Sequence, residues 1–467
     1  MGKKGITFIL SLFFLTNCSQ SNIVSQVSDL RTPSSIDIND SQDGFSDSKN
    51  DQSIIGSQSL TGSSGTTSSE FDDEIKKWED EGYICEGNLV YTNDYNDKKE
   101  YSIVGYYGKP KEIIIPDIFK GLPVGLIRGA FYNCQTLEKI HIGKNLRSIS
   151  ETSFENCISL KEITIDENNA VFFFDSGLLY ARAKDSVLFT LIFCPCEVTG
   201  AITVLEETAY IQHGAFASYP KVNELHLGKN VDHIRANSTL IGLDYLNNIT
   251  ISNENTNYCS EDGVLFSKDK TELIFISPTR HTLYEIPESV GAIYGSFEKC
   301  TKLKDLTINS KIDRAYPLYC STLENVYVDA QNECFKSVEG ILYSKDLKEV
   351  IIVPPQKLNP SLVDSVEVIK EYAFLENINK KIVLPDAVRI IGDYAFPWHN
   401  KYLYNENIEE ITFGNKVTKI GVCAFDGTIN LKNVNYKGSQ EEFSQIEILE
   451  YNDFLLNATI NYNYSES

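Results

Sequence analysis

The residues able to do chemistry in this 467-residue chain are few: 6 histidines, 11 cysteines and two Asx-rich stretches. A metal site or a nucleophilic centre needs these types at fixed spacing, and none falls into such a spacing. No G-x-S-x-G, H-E-x-x-H, phosphate-loop or dinucleotide-loop pattern is present. Cys194-Pro195-Cys196 pairs two thiols one residue apart, but no zinc partner lies near it in sequence. Asp166-Glu167-Asn168-Asn169 and Asn253-Glu254-Asn255 offer oxygen ligands for calcium without the spacing of an EF-hand loop, and they read as solvated turns. His213, His233, His281 and His399 fall in turns or links. His141 and His226 occupy equivalent places in a repeating pattern, where other copies carry Thr164, Thr250, Thr307, Tyr327, Thr412 and Asn435. A place that accepts all of these is an exposed position on a strand. The sequence therefore predicts no catalytic centre, no metal and no cofactor.

The pattern that holds those positions is an apolar-x-x-apolar-x-apolar run. It appears as Leu137/Ile140/Ile142, Leu160/Ile163/Ile165, Val222/Leu225/Leu227, Leu246/Ile249/Ile251, Leu303/Leu306/Ile308, Leu323/Val326/Val328, Ile408/Ile411/Phe413 and Leu431/Val434/Tyr436. Its last two apolar residues alternate with a polar one, the period of a strand with one buried face. A second run, V-x-x-I-x-x-x-A-F, follows at Val366–Phe374, Val388–Phe396 and Val417–Phe425. Turn residues such as Gly143-Lys144-Asn145 join the two runs. One unit this short cannot bury its own apolar side, so successive units must stack into a solenoid.

Ile391-Gly392-Asp393-Tyr394-Ala395-Phe396, Ile420-Gly421-Val422-Cys423-Ala424-Phe425 and Ala130-Phe131-Tyr132-Asn133-Cys134-Gln135-Thr136-Leu137 resemble the repeat of the bacterial BspA-like, or type-5, leucine-rich repeat family. The resemblance covers residues 83–464. It implies a mainly β repeat solenoid of units of about 22–29 residues, and adhesion to host or bacterial surface proteins.

Three corresponding strand segments interrupt the repeats, at Asp175–Tyr180, Asp262–Phe266 and Glu339–Tyr343. Each is followed by a two-residue turn, Lys184-Asp185, Lys268-Asp269 or Lys345-Asp346, and a second apolar strand, Val187–Phe193, Leu273–Ile276 or Val350–Val353, and Pro195, Pro278 and Pro354 close the copies. They are expected as hairpins inserted on one side of the solenoid.

Residues 1–17 read as an export signal, with Lys3 and Lys4 ahead of a short apolar run. Leu15-Thr16-Asn17-Cys18 resembles a lipobox, which implies lipidation of Cys18; Asn17 stands where Gly, Ala or Ser is usual. An ordinary secretory signal that contains a cysteine is the other reading. Residues 18–70 are serine-rich with one aromatic residue, Phe45, and read as a disordered tether. Residues 71–123 are expected to cap the solenoid, 124–438 to form it and 439–467 to close it. Cys134, Cys157, Cys300 and Cys320 each precede a leading Leu by three residues and read as a buried, reduced ladder of small apolar groups, with a bridge between stacked Cys134 and Cys157 as the other reading.

A net charge of −23 argues against nucleic acid or an anionic membrane surface as partner. The reading is an exported, lipid-anchored surface protein that meets the membrane only through its anchor and binds a protein ligand of host or bacterial origin. Its expected binding stripe, along one sheet face, is His141, Thr164, His226, Thr250, Thr307, Tyr327, Thr412 and Asn435. The competing reading is a structural or assembly component of the cell envelope with no host target.

Overall fold

The computed structural model describes residues 68–93, 99–183, 186–234, 239–293, 297, 299–314, 318–396 and 405–465. The export signal, Cys18, residues 18–67 of the expected tether, Lys184-Asp185 and His399 lie outside these residues, whereas residues 68–70, expected in the tether, begin a helix.

Two parallel ladders run along the solenoid. The first contains the strands of the apolar-x-x-apolar-x-apolar runs. It is cut into four short sheets: Glu112–Ile114, Lys139–Ile142 and Glu162–Ile165; then Thr199–Thr203, Lys221–Leu227 and Asn248–Ile251; then Leu283–Glu285, Asp305–Ile308 and Asn325–Val328; and last Lys381–Val383, Glu410–Phe413, Asn433–Tyr436 and Thr459–Asn461. The second ladder holds the V-x-x-I strands, longest at Val368–Ile369, Ile390–Ile391, Lys419–Ile420 and Glu447–Ile448. At the corner after it the residue ahead of Ala-Phe turns left-handed, as Gly129, Gly214, Tyr372, Tyr394 and Cys423 do. That bend aims backbone N–H groups along the solenoid axis: Tyr394 donates to the Val422 carbonyl and Phe396 to that of Ala424, each at 3.0 Å. The phenylalanines that follow stack through the centre, with ring centroids 4.9 Å apart for Phe374–Phe396 and 4.8 Å for Phe396–Phe425.

Each first-ladder sheet belongs to a block that opens with an antiparallel meander. In the last three blocks the meander contains the hairpin anticipated from sequence, Leu178–Arg182 with Phe189–Phe193, Val264–Ser267 with Glu272–Ile276 and Ile341–Ser344 with Glu349–Ile352; a further strand precedes it across Ser176-Gly177, Asp262-Gly263 and Glu339-Gly340, where both central residues are left-handed. The first block has the same meander: Glu86 pairs with Leu89 across Gly87-Asn88, both again left-handed. All four copies also bulge at one place in their second pairing, between Val90/Tyr91, Leu179/Tyr180, Leu265/Phe266 and Leu342/Tyr343. The N-terminal cap is thus a fourth copy of the inserted unit.

The hairpins are not outlying insertions. Their central strands are buried on both faces and divide the interior. Leu179, Ile192 and Phe193 face the first core, whereas Leu178, Tyr180 and Leu191 face the second. Leu265 and Phe275 belong to the second core, Val264, Phe266 and Leu273 to the third. Leu342 and Ile352 belong to the third, Ile341, Tyr343 and Val350 to the fourth. Strand alternation sends successive side chains to opposite sides, so an all-apolar central strand forms a wall between neighbouring cores.

The first meander has no block before it. Leu89 and Tyr91 face the first core, and the outward Val90 is still fully buried. The helix Ser68–Asp80 takes the place of a preceding block: Trp78 and Phe71 lie against Gly105 and Gly108, positions where a Cβ would meet their rings at 3.0–3.1 Å. The other end closes without leaving the repeat. Ser439 caps the short helix Gln440–Phe443 with a capping box, Glu447–Ile448 then joins the second ladder, and Thr459–Asn461 joins the first. Residues 439–461 are therefore one more, irregular, turn.

Candidate binding face

In the first ladder, parallel register sets equivalent residues of consecutive turns side by side. His141 pairs with Thr164, His226 with Thr250, Thr307 with Tyr327 and Thr412 with Asn435. The side chains bond along the ladder: His141 Nδ1 to Thr164 Oγ1 at 2.9 Å, His226 Nδ1 to Thr250 Oγ1 at 2.7 Å, and Asn435 Nδ2 to Thr412 Oγ1 at 3.2 Å. Two copies of one His–Thr pair thus sit in the first and second blocks. Ile114, Thr203, Glu285 and Val383 lead the same rows, and Asn461 extends the last one through a bond to Asn435 Oδ1 at 2.9 Å.

The eight positions do not form one continuous sheet. They are divided among four, because each meander ends a ladder. The Gly340 carbonyl of one hairpin turn accepts from Val326 N–H at 2.8 Å, and Ser260 Oγ, on the strand Tyr258–Glu261 of another meander, accepts from Ile251 N–H at 3.0 Å. Exposure also differs. Thr164 and Tyr327 are exposed, and His141, His226, Thr250 and Thr307 are half-buried. Thr412 and Asn435 are only 2% and 3% exposed, so they cannot take part in a surface stripe as they stand. Glu410 Oε1 accepts from Asn435 at 3.0 Å, and together with Asn461 it encloses that row.

Beside this stripe the face carries alternating charges. Glu138 lies between Lys111 (3.2 Å) and Lys161 (2.9 Å), Lys139 meets Glu162 (2.6 Å), and Lys304 meets Glu324 (2.8 Å). Glu409 lies between Lys380 (2.7 Å) and Lys432 (3.0 Å). Hydrogen bonds from Lys380 and Lys432, reinforced by their charge, bring the Glu409 carboxyl down to about 2. Exposed apolar residues border the charges, with Ile114 63%, Leu283 53% and Tyr327 44% exposed.

The other sequence candidates have structural surroundings. Among the described residues no group of three or more His, Cys, Asp or Glu is arranged to hold a metal. The Asx-rich stretches are corners, not solvated turns throughout. Asn169 and Asn255 are buried, and each uses its amide to bond the previous turn: Asn169 Nδ2 donates to the Gly143 and Leu146 carbonyls, and its Oδ1 accepts from Val171 and Phe172 N–H. Asn332 repeats this before the fourth meander. Cys194 is buried, and Cys196 N–H donates to the Leu160 carbonyl at 3.1 Å, so Cys194-Pro195-Cys196 is a link between turns. His213 lies by Glu155, a carboxyl that burial pushes up, and His281 Nε2 contacts the Asp262 carbonyl at 2.9 Å. Cys134, Cys157, Cys300 and Cys320 are buried and unbridged.

A β solenoid of stacked short units with a polar ladder face is the architecture of a leucine-rich repeat protein. The repeat of the family described as "BspA type Leucine rich repeat region" matches in six copies over residues 123–176, 190–280, 356–443 and 398–461, more than half of the chain. The chain belongs to that family. Among solved structures it is similar to a leucine-rich cell surface protein of Faecalibacterium prausnitzii A2-165, with 18% identity, 78% of this chain and 97% of that chain covered, and a TM-score of 0.35. It is similar also to the pneumococcal vaccine antigen PcpA, with 18% identity, 83% and 99% covered, and a TM-score of 0.33. A leucine-rich repeat protein of Eubacterium ventriosum ATCC 27560 follows at 16% identity, 76% and 85% covered, and a TM-score of 0.33. No curated protein matches the chain. Among the described residues no helix is long and apolar enough to cross a membrane.

Proposed function

We propose that the solenoid is a protein-binding module displayed on a bacterial cell surface, held there by a lipid on Cys18, and that it adheres to host or bacterial surface proteins. The carrying observation is the first-ladder face of the first three blocks. It offers Thr164, Tyr327 and the half-exposed His141, His226, Thr250 and Thr307 on a rigid parallel backbone, bordered by exposed apolar side chains and alternating charges. Mixed aromatic, apolar and charged surface on a preformed scaffold suits a large protein partner, because little ordering entropy is lost on binding. Family membership agrees with this use, since repeat solenoids present long faces to macromolecules.

The test is binding of residues 68–467 at physiological salt to a panel of extracellular-matrix proteins and bacterial surface fractions. Saturable binding that H226A/Y327A weakens at least tenfold supports the reading. Absence of binding by protein with a native circular dichroism spectrum overturns it in favour of an envelope component. Protease access on intact cells and metabolic lipid labelling that C18S abolishes test display and anchoring separately.

A further inference from the structure

Where the third block meets the fourth, a lysine, an asparagine and an aspartate come to one point. Lys357 Nζ donates to Asn325 Oδ1 at 3.0 Å, and Asn325 Nδ2 donates to Asp305 Oδ1 at 2.8 Å. The amide is held at both ends, its oxygen by an ammonium and its nitrogen by a carboxylate. Parallel register supplies the second contact, because Asp305 lies opposite Asn325. The first comes from chain that returns after the fourth meander, and its backbone is pinned. Lys357 N–H donates to the Pro354 carbonyl at 2.9 Å, Gln356 N–H to the Leu323 carbonyl at 3.0 Å, and buried Asn379 Nδ2 to the Lys357 carbonyl at 2.6 Å. The Glu339-Gly340 turn leaves room for the amide. Gly340 is left-handed, and a Cβ there would overlap Asn325 Oδ1 and lie 2.9 Å from Cγ. All three side chains are half-buried.

The equivalent places in the two earlier blocks lack the full set. In the second block Glu224 pairs with Asn248 as Asp305 does with Asn325. The residue matching Lys357 there is Arg280, since Thr279 N–H bonds the Leu246 carbonyl as Gln356 N–H bonds that of Leu323. Arg280 turns to Asp262 at 2.9 Å, and a guanidinium stays protonated and cannot attack. In the first block the matching residues are Lys139, Glu162 and Glu197, with no amide among them.

We infer that Lys357 and Asn325 are an intramolecular modification site that closes to an isopeptide bond, with Asp305 as its proton relay. Nζ already touches the oxygen of the carbon it attacks, so positioning supplies most of what the reaction needs. Lys357 loses one proton, and the free amine adds to Asn325 Cγ. The Nζ–Cγ bond forms, the tetrahedral intermediate collapses and the Cγ–Nδ2 bond breaks. Once Nζ is bonded to Cγ it shares that carbon with Nδ2, so the carboxylate that holds Nδ2 can serve both nitrogens. Two of the three Nζ protons pass through Asp305 to Nδ2, which leaves as ammonium. An ammonium and a primary amide become a secondary amide and an ammonium, and no oxidant or co-reactant is consumed. The link spans 32 residues and ties the last first-ladder strand of the third block to the exit of the fourth meander. The inference stands on these three residues and not on the proposed surface display.

The test is digestion of the full folded chain in denaturant, followed by mass spectrometry of its peptides. The expected product is one branched peptide that joins Lys357 to Asn325 and is lighter by one ammonia than the two linear peptides together. Asn248 should stay unmodified. K357R keeps a donor to Oδ1 but cannot attack, and should give no link. D305N keeps an accepting oxygen for Nδ2 but cannot relay a proton, and should leave most of the chain unlinked, whereas D305E should restore the link. Separate linear peptides with unmodified Lys357 and Asn325 from folded wild-type protein overturn the inference. Hydrolysis of Asn325 to aspartate in place of the link overturns it too, and full linkage in D305N overturns the role of Asp305. The wild-type peptides are decisive even if a variant fails to fold.

Discussion

Replacing Asn332 by alanine tests whether a corner amide holds consecutive turns together. Asn332 is 1% exposed and makes four bonds to the backbone. Its Nδ2 donates to the Asn309 carbonyl at 2.8 Å and the Ile312 carbonyl at 2.9 Å, both in the previous turn. Its Oδ1 accepts from Cys334 N–H at 2.9 Å and Phe335 N–H at 2.8 Å, at the entry to the fourth meander. Alanine removes all four partners at once and leaves two carbonyls and two N–H groups in an enclosed corner. At roughly 1 kcal/mol net per bond the loss is about 4 kcal/mol, and water entering the vacated space lowers it. The assay is urea unfolding of N332A against wild type, with hydrogen exchange at residues 305–345 to localise the loss, because repeat arrays need not unfold in one step. The exposed Asn253 provides the control, with a change for N253A within about 0.5 kcal/mol. N332D keeps the size and the accepting oxygens but sets a carboxylate against two carbonyls. It should be at least as damaging at pH 7 and recover in part in acid, where the protonated carboxyl regains one donor. A loss below about 1 kcal/mol for N332A, with unchanged exchange in the corner, would refute the reasoning.

Four further outcomes are expected. F396A removes the middle ring of the Phe374–Phe396–Phe425 stack and should cost about 3–5 kcal/mol in urea unfolding. The folded Glu409 carboxyl is depressed to about 2, so its contribution is present above its ordinary value and is lost as pH falls from there toward 2; E409Q should be the less stable protein near pH 7 and converge with wild type toward pH 2, which flattens the acid limb in that window. In folded protein a thiol-reactive dye should label exposed Cys334 first, while buried Cys157 and Cys194, whose thiols burial pushes well up, should react only on unfolding. V90D, aimed at the helix Ser68–Asp80 and not at the first core, should release that helix, seen as new protease cleavage within residues 68–83 while the blocks beyond stay protected.

What the sequence conveys is set by which forces leave a periodic trace. The first ladder was legible because its buried face repeats with the period of a strand, and the His141–Thr164 and His226–Thr250 pairs follow from register once units of 23 and 24 residues stack. The dividing role of the hairpins was not legible from turns alone. Leu178-Leu179-Tyr180, Val264-Leu265-Phe266 and Ile341-Leu342-Tyr343 do carry the signal, since three consecutive apolar residues in a strand require apolar surroundings on both sides. Leu89-Val90-Tyr91 carries it too, and its Glu86-Gly87-Asn88 turn makes the N-terminal cap a member of the series. The burial of Thr412 and Asn435 left no trace. Alternation assigns a side chain to the outer side of a strand but does not say what then covers that side. Here Glu410, on the same strand as Thr412, does so together with Asn461 of the final turn, whose strand Thr459–Asn461 is too short and polar to announce itself. The charged rows show why the turns stack in one order. Lys380, Glu409 and Lys432 alternate in sign along the axis, as do Lys111, Glu138 and Lys161, so sliding one turn past its neighbour would set like charges side by side. Each exposed pair adds little stability by itself. Their combined effect is to penalise the wrong stacking, and that is what a chain of near-identical units needs most, because hydrophobic burial alone barely distinguishes one neighbouring turn from another.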